Sequence, residues 1–220
     1  MKAQVMHAGS ENARRLSVEI LKSGGLVAFP TDTVYGLVAL PWDTDAVARL
    51  YETKRRPSDR PIPLLLSDVG RLERVTVLPS QFRVRFGQLI ARYWPGGLTL
   101  VLPKARIVPE VVSPGPTVAV RVPDLALART LIRDAGGVLA VTSANLSGQL
   151  SPITAQEVEE QLGDRIQLIL DGGPSRGGVP STILDCTVSP PVLLRHGAVS
   201  TAALRALVGP LVIPDQTRGD

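Results

Sequence analysis

The run Leu26-Val27-Ala28-Phe29, closed on one side by Gly24-Gly25 and on the other by Pro30, narrows the fold more than any other feature of the chain. Four consecutive apolar residues bounded by turn formers read as a strand buried on both faces, which needs helices on each side of its sheet. Val138 to Val141 is a second such run. Around and between them the pattern switches repeatedly to helical spacing. Ser10 caps a helix predicted over Glu11–Ser23, and a second runs from Asp43 or Thr44 to Lys54, closing near Arg55 because the residue before Pro57 disfavours the helical region. Ile62 to Leu66 reads as a strand, Ser80 to Tyr93 as a helix, Leu98 to Leu102 and Val118 to Val122 as strands, and Leu125 to Asp134 as a helix. Thr154-Ala155-Gln156-Glu157 is a capping box opening a helix that ends near Gly163. Ile166 to Leu170, Ile183 to Cys186 and Val192 to Leu194 are further strands, with a last helix over Ser200–Val208. Adjacent strands late in the chain break a pure βαβ alternation, so the expected fold is α/β with a twisted mixed β-sheet flanked by helices. One domain over residues 1–210 and a polar tail over 211–220, frayed from Gln216 to Asp220, complete the expectation.

The turn after the Leu26–Phe29 strand is chemically suggestive. Pro30 ends ladder pairing, and Thr31, Asp32 and Thr33 fill the turn, where open α/β sheets place their ligands. The same turn could serve only to cap the next segment. Asp32 would then either orient a ligand amine or cap the turn. Several other chemistries are excluded by counting. Two histidines and one cysteine cannot build a His-rich metal site or a zinc cage, and the single Cys186 forms no internal disulfide. Neither a nucleophile elbow nor a Walker loop is present. Gly172 to Gly178 is Gly-rich but lacks the Lys-Ser/Thr ending of a phosphate loop, so a flexible loop or lid is the better reading.

The 24 basic against 20 acidic residues give +4, which suits a polyanionic ligand without saying which. Arg55, Arg56 and Arg60 form one cluster; Arg83, Arg85 and Arg92 form another, at the spacing of a solvated helix face. Three Phe, three Tyr and two Trp are too few for base-stacking platforms. No segment reaches the roughly 20 apolar residues of a membrane span, the start has no apolar core of signal-peptide length, and a cytoplasmic location is expected.

Taken as motifs, these stretches resemble one family. Phe29 to Leu37, Lys54-Arg55-Arg56-Pro57, Tyr93 to Val101, Thr117 to Pro123, Ser143 to Gly148, Pro180 to Ile183 and Leu194-Arg195 occur in the order seen in YrdC-like proteins, the threonylcarbamoyl-AMP synthases, from about residue 10 to 210. The resemblance implies a YrdC-like domain with a concave basic cavity. It implies a nucleotidyltransferase that joins L-threonine, bicarbonate or CO2, and ATP into threonylcarbamoyl-AMP, releasing pyrophosphate. The product would pass to the threonylcarbamoyl-transferase complex that modifies position 37 of tRNAs reading ANN codons.

The same resemblance implies roles residue by residue. Lys54, Arg56, Ser143 and Asn145 would be catalytic. Thr33, Leu65, Arg121, Val141 and Ser181 would surround L-threonine, with Arg121 clamping its carboxylate. Arg56, Arg60, Thr117, Ser143, Ser151 and Arg195 would hold ATP. No protein metal ligand is implied, and Mg2+ would ride on the triphosphate because no compact carboxylate cluster offers a site. Read from the residues alone, Lys54 and Arg56 could equally be exposed charges favouring a helix C-terminus. Ser143 and Asn145 could be turn groups after a buried strand. Trp94 is expected in the core. Two other functions remain open, a non-catalytic RNA-binding or ribosome-associated module and a YrdC-like paralogue with another acceptor.

Overall fold

The structure, a computed structural model, describes residues 2–78 and 80–214, the side chains of 80–85 excepted. The expected tail from Gln216, and the Arg83 and Arg85 side chains of the second basic cluster, lie outside the described residues. The strands are β1 (Gln4–His7), β2 (Val27–Phe29), β3 (Gly36–Ala39), β4 (Leu64–Leu66), β5 (Leu98–Pro103), β6 (Thr117–Arg121), β7 (Val138–Ser143), β8 (Leu168–Asp171), β9 (Thr182–Asp185) and β10 (Val192–Arg195). The helices are α1 (Glu11–Lys22), α2 (Thr44–Lys54), α3 (Leu72–Val75), α4 (Ser80–Tyr93), α5 (Ala126–Asp134), α6 (Ala155–Leu162) and α7 (Thr201–Val208). Among the described residues the strands form a single mixed sheet in the order β1-β8-β2-β3-β7-β4-β6-β5-β9-β10. Its parallel pairs are β1/β8, β8/β2, β4/β6 and β5/β9, the rest being antiparallel. The α/β mixed sheet is the one expected. β1, β3 and α3 are additions to the expected elements. Among the described residues no helix is long and apolar enough to cross a membrane.

Strand periodicity divides the core. Leu98, Leu100 and Leu102 of β5, Val118 and Val120 of β6 and Leu184 of β9 point to one face, packed with residues of α2, α4, α6 and α7. Val27 and Phe29 of β2, Val38 of β3, Leu65 of β4, and Leu139 and Val141 of β7 point to the other, under α1 and α5. α1 packs chiefly on β2, and α5 on β4 and β7. Beyond β4 the same face continues as Ala119 and Arg121, Thr99 and Val101, and Ile183, with no helix above it among the described residues, and there the cavity opens. Arg121, out of place in an apolar strand when read alone, belongs to this alternate set.

α2 ends as the sequence indicates but by a sharper device. Arg55 adopts the left-handed conformation, φ 53° and ψ 40°. Its N–H donates to the Glu52 carbonyl (3.0 Å) and that of Arg56 to the Tyr51 carbonyl (2.9 Å), a Schellman closure. Glycine fits this position without the steric cost an L side chain carries there. Arg55→Gly is therefore expected to stabilise the protein by about 0.5–1 kcal/mol in chemical denaturation, with activity unchanged because Arg55 is exposed and off the cavity wall.

Candidate active site

The bare face forms the floor of a cavity of about 300 Å3. Thr33 comes from the turn after β2, Arg56 from the loop after α2, Leu65 from β4, Arg121 from β6, Val141 and Ser143 from β7, Ser181 from the segment before β9, and Arg195 from β10. Ser151 completes the anticipated members of the wall. Four anticipated residues are not on it. Arg60 is exposed, its carbonyl accepting from Tyr51 Oη (3.0 Å) and Arg56 Nε (3.1 Å). Thr117 stands at the far end of β6, and Lys54 and Asn145 lie behind β7. Thr31, whose turn the sequence marks as a place for ligand contacts, lines the cavity, and so do Tyr35 and Thr99, to which the sequence gives no role. Tyr35 and Thr99 sit inside motifs whose apolar neighbours signal packing.

Three guanidiniums line this cavity, and among the described residues no carboxylate does. Each is tethered by neutral oxygens in part. Arg56 donates from Nε to Arg60 O and from Nη2 to Pro61 O (2.9 Å). Arg195 donates from Nε to Ser181 O (2.9 Å) and from Nη2 to Ser181 Oγ (3.0 Å), and that hydroxyl also meets Thr99 Oγ1 at 2.7 Å. Among the described residues the Nη1 groups of Arg56 and Arg195 have no protein acceptor. Burial, then Arg121 and Arg56, pull the Arg195 guanidinium below the usual arginine range. Like charges crowded in a part-buried cavity favour an anionic guest.

The turn after β2 has a fixed hydrogen-bond polarity. Thr31 Oγ1 has one proton and gives it to Val34 O (2.7 Å), so in its 3.0 Å contact with Thr33 Oγ1 it must accept. Thr33 Oγ1 accepts in turn from Arg121 Nη1 (2.9 Å). What remains to a guest is a lone pair, so Thr33 can receive an N–H or O–H but has no proton to give. Asp32 neither caps this turn nor lines the cavity. Its Oδ1 accepts from Arg121 Nη2 at 2.6 Å.

Lys54 is not an exposed helix-end charge. It is 1% exposed, and its ammonium donates to Ser143 O, to Asn145 O (2.6 Å) and to Asn145 Oδ1 (3.1 Å). Burial and the nearby Arg56 lower its pKa to about 7. Asn145 Oδ1 also accepts from Ser143 Oγ (2.5 Å), while Nδ2 bonds Leu146 O (2.8 Å) and Gln149 O (2.7 Å). Asn145 is thus the turn group that the residue-level reading allowed. Lys54 and Asn145 together fix Ser143, which does face the cavity. Trp94 is in the core as expected, 6% exposed, with Nε1 donating to Leu98 O (2.7 Å). The Gly172–Gly178 loop is tied down: Tyr35 Oη donates to Gly173 O (2.8 Å) and Gly177 N–H to Asp32 O (3.0 Å). Among the described residues no group of three or more His, Cys, Asp or Glu side chains could hold a metal ion.

Known proteins share this architecture. The Sua5/YciO/YrdC family model, described as "Telomere recombination", matches residues 19–197. A threonylcarbamoyl-AMP synthase of Bacillus subtilis is 45% identical over 194 residues, covering 87% of this chain and 55% of the relative. One from Pyrococcus abyssi is 42% identical over 200 residues, covering 90% and 58%. The crystal structure of P. abyssi Sua5 complexed with L-threonine matches with a TM-score of 0.86 at 41% identity, over 91% of this chain and 58% of that one. The chain spans little more than half the length of these relatives. With the match running from within α1 to just past β10, and with similarity of this order over most of its residues, the chain belongs to the Sua5/YciO/YrdC family.

Proposed function

We propose that the protein is a nucleotidyltransferase that converts L-threonine, bicarbonate or CO2, and ATP into threonylcarbamoyl-AMP and pyrophosphate. The observation that carries this reading is the union of Arg56, Arg121 and Arg195 with the hydroxyls of Thr33, Ser143, Ser151 and Ser181 in one cavity without a lining carboxylate among the described residues. The reactants bring a carboxylate, a carbamate and a triphosphate together, and only a strongly cationic site can hold all three. The threonine amine adds to CO2 and loses a proton to give the carbamate. A carbamate oxygen then attacks the α-phosphorus, and the bond to pyrophosphate breaks. Phosphoryl and nucleotidyl transfers of this kind depend on positioning and on cations set where negative charge grows.

In this assignment Arg121 binds the threonine carboxylate, with Thr33, Ser181, Leu65 and Val141 around the rest of the amino acid. Arg56, Arg195, Ser143 and Ser151 bind ATP. Arg60 and Thr117, off the cavity wall, are assigned more peripheral contacts with the nucleotide. Lys54 and Asn145 act by fixing Ser143 and the end of β7. Mg2+ is taken to arrive with ATP, since no carboxylate on the described wall offers it a ligand. The relatives' names and the L-threonine bound in P. abyssi Sua5 support the reading. A cytoplasmic location and delivery of the product to the transferase that modifies tRNA position 37 are part of the same proposal. Incubating the protein with L-threonine, bicarbonate and ATP-Mg should release pyrophosphate and yield threonylcarbamoyl-AMP by mass spectrometry. Pyrophosphate release that ignores threonine would overturn the proposal.

A further inference from the structure

We propose that Asp32 is a positioning residue of the amino-acid subsite, holding Arg121 in the orientation in which it receives a carboxylate. The inference rests on the assignment of Arg121 to that carboxylate. Arg121 is 5% exposed, and each of its three nitrogens makes one bond to the protein: Nε to Gly96 O (2.8 Å), Nη1 to Thr33 Oγ1 (2.9 Å) and Nη2 to Asp32 Oδ1 (2.6 Å). Nη1 and Nη2 each retain one N–H for a guest, and a guanidinium set so at both ends can bind in two-pronged fashion. Of the three anchors only Asp32 is charged, and the other two cannot offset repulsion from Arg56 and Arg195.

Asp32 is itself held. Its carbonyl accepts the Gly177 N–H at 3.0 Å, and a Cβ added at Gly177 would lie 2.7 Å from that oxygen and 3.2 Å from Thr33 Cα. The neighbouring Thr33 is locked between the Thr31 hydroxyl and Arg121 Nη1. A carboxylate on so fixed a turn can orient a buried guanidinium whose other two anchors, Gly96 O and Thr33 Oγ1, are neutral. Because Asp32 is absent from the cavity wall, it acts through Arg121 and not on the guest.

The test compares Asp32→Asn and Asp32→Ala with wild type by calorimetric titration with L-threonine and, separately, with ATP-Mg. Asparagine keeps an acceptor but loses the charge-assisted bond, and threonine should bind about 3- to 10-fold more weakly; alanine removes both, and the loss should reach about 10- to 100-fold. ATP affinity without threonine should stay within about 2-fold in both variants, since the ATP groups have their own anchors. Adding Asp32→Asn to Arg121→Lys should cost almost nothing further, because a residue that acts through Arg121 has nothing left to position. Should alanine fail to fold, the asparagine variant and the double variant decide. Threonine affinity unchanged by Asp32→Asn, or equal weakening toward threonine and ATP, overturns the inference. Wild-type protein that binds no threonine overturns the assignment of Arg121 first, and the role of Asp32 with it.

Discussion

Lys54→Met is expected to abolish most pyrophosphate formation, by about 10-fold or more, and to destabilise the protein in a pH-dependent way. The ammonium ties three oxygens, those of Ser143 and Asn145, behind the cavity wall. Methionine fills the stem's volume but takes the donor from the Ser143 and Asn145 carbonyls, at about 1–3 kcal/mol each, while Asn145 Oδ1 keeps its bond from Ser143 Oγ. Against this stands relief from burying a charge with no carboxylate partner among the described residues, and pH decides the balance. The Lys54 pKa falls from 10.5 to about 7 on folding. Between those values the unfolded chain binds more protons than the folded one, so wild-type stability from this group rises with pH from about 7 towards 10.5 and is flat below 7. The substitution should therefore cost most near pH 9, about 3 kcal/mol or more, and less near pH 6. Urea denaturation of both proteins across this range tests it. A wild-type advantage that shrinks as pH rises would show the reverse linkage, a fold that holds the ammonium better than the neutral amine.

The burial of Lys54 is not legible in its sequence neighbours. Its helix position and its distance from Ser143 in sequence say nothing of β7 ending beside it; only the β3/β7 and β4/β7 pairings bring the two together. The role of Asp32 is hidden for a similar reason, since its partner Arg121 lies 89 residues away. Short-range features are legible. The apolar runs mark β2 and β7, the Ser10 and Thr154 caps mark α1 and α6, and the alternation in β5 and β6 is strong enough to mark both strands. β1 escapes because it is an edge strand with mostly exposed residues, which carries no apolar alternation. β3 escapes because Gly36 opens it and Tyr35 precedes it, so the segment reads as part of a ligand turn and not as a strand.

The site residues divide along the same line. Thr33, Leu65, Arg121, Val141, Ser143, Ser151, Ser181, Arg56 and Arg195 do meet at one cavity, although they come from at least six segments. No spacing rule predicts such a meeting. The family resemblance supplies it. What resemblance cannot supply is which partners each group already has, and these decide what each can still offer. Thr33 has only a lone pair left, Lys54 has no N–H free, and the guanidiniums keep open donors.

Those open donors of Arg56 and Arg195 are the groups left to meet a triphosphate. Arg56→Ala and Arg195→Ala should each lower kcat/KM for ATP by about 10- to 1,000-fold, the range for removing a preorganised charge from a transition state that gathers negative charge. Stability should change little for Arg56→Ala, which removes one of three mutually repelling cations, whereas Arg195→Ala also takes the donor from the carbonyl of the buried Ser181, at about 1–3 kcal/mol. The anchors of Arg56 are the carbonyls of Arg60 and Pro61, which the exposed loop leaves within reach of water once the side chain is gone. Arg195→Lys keeps a charge but loses the fork that reaches Ser181 and a phosphate together, so it should recover only part of the alanine loss. Inorganic pyrophosphate, binding the folded cation cluster and not the unfolded chain, should raise the wild-type melting temperature and raise that of both alanine variants less. Were both alanine variants to turn over ATP at the wild-type rate while pyrophosphate still protected them fully, the triphosphate would have to lie elsewhere, and the cavity would keep only its amino-acid half.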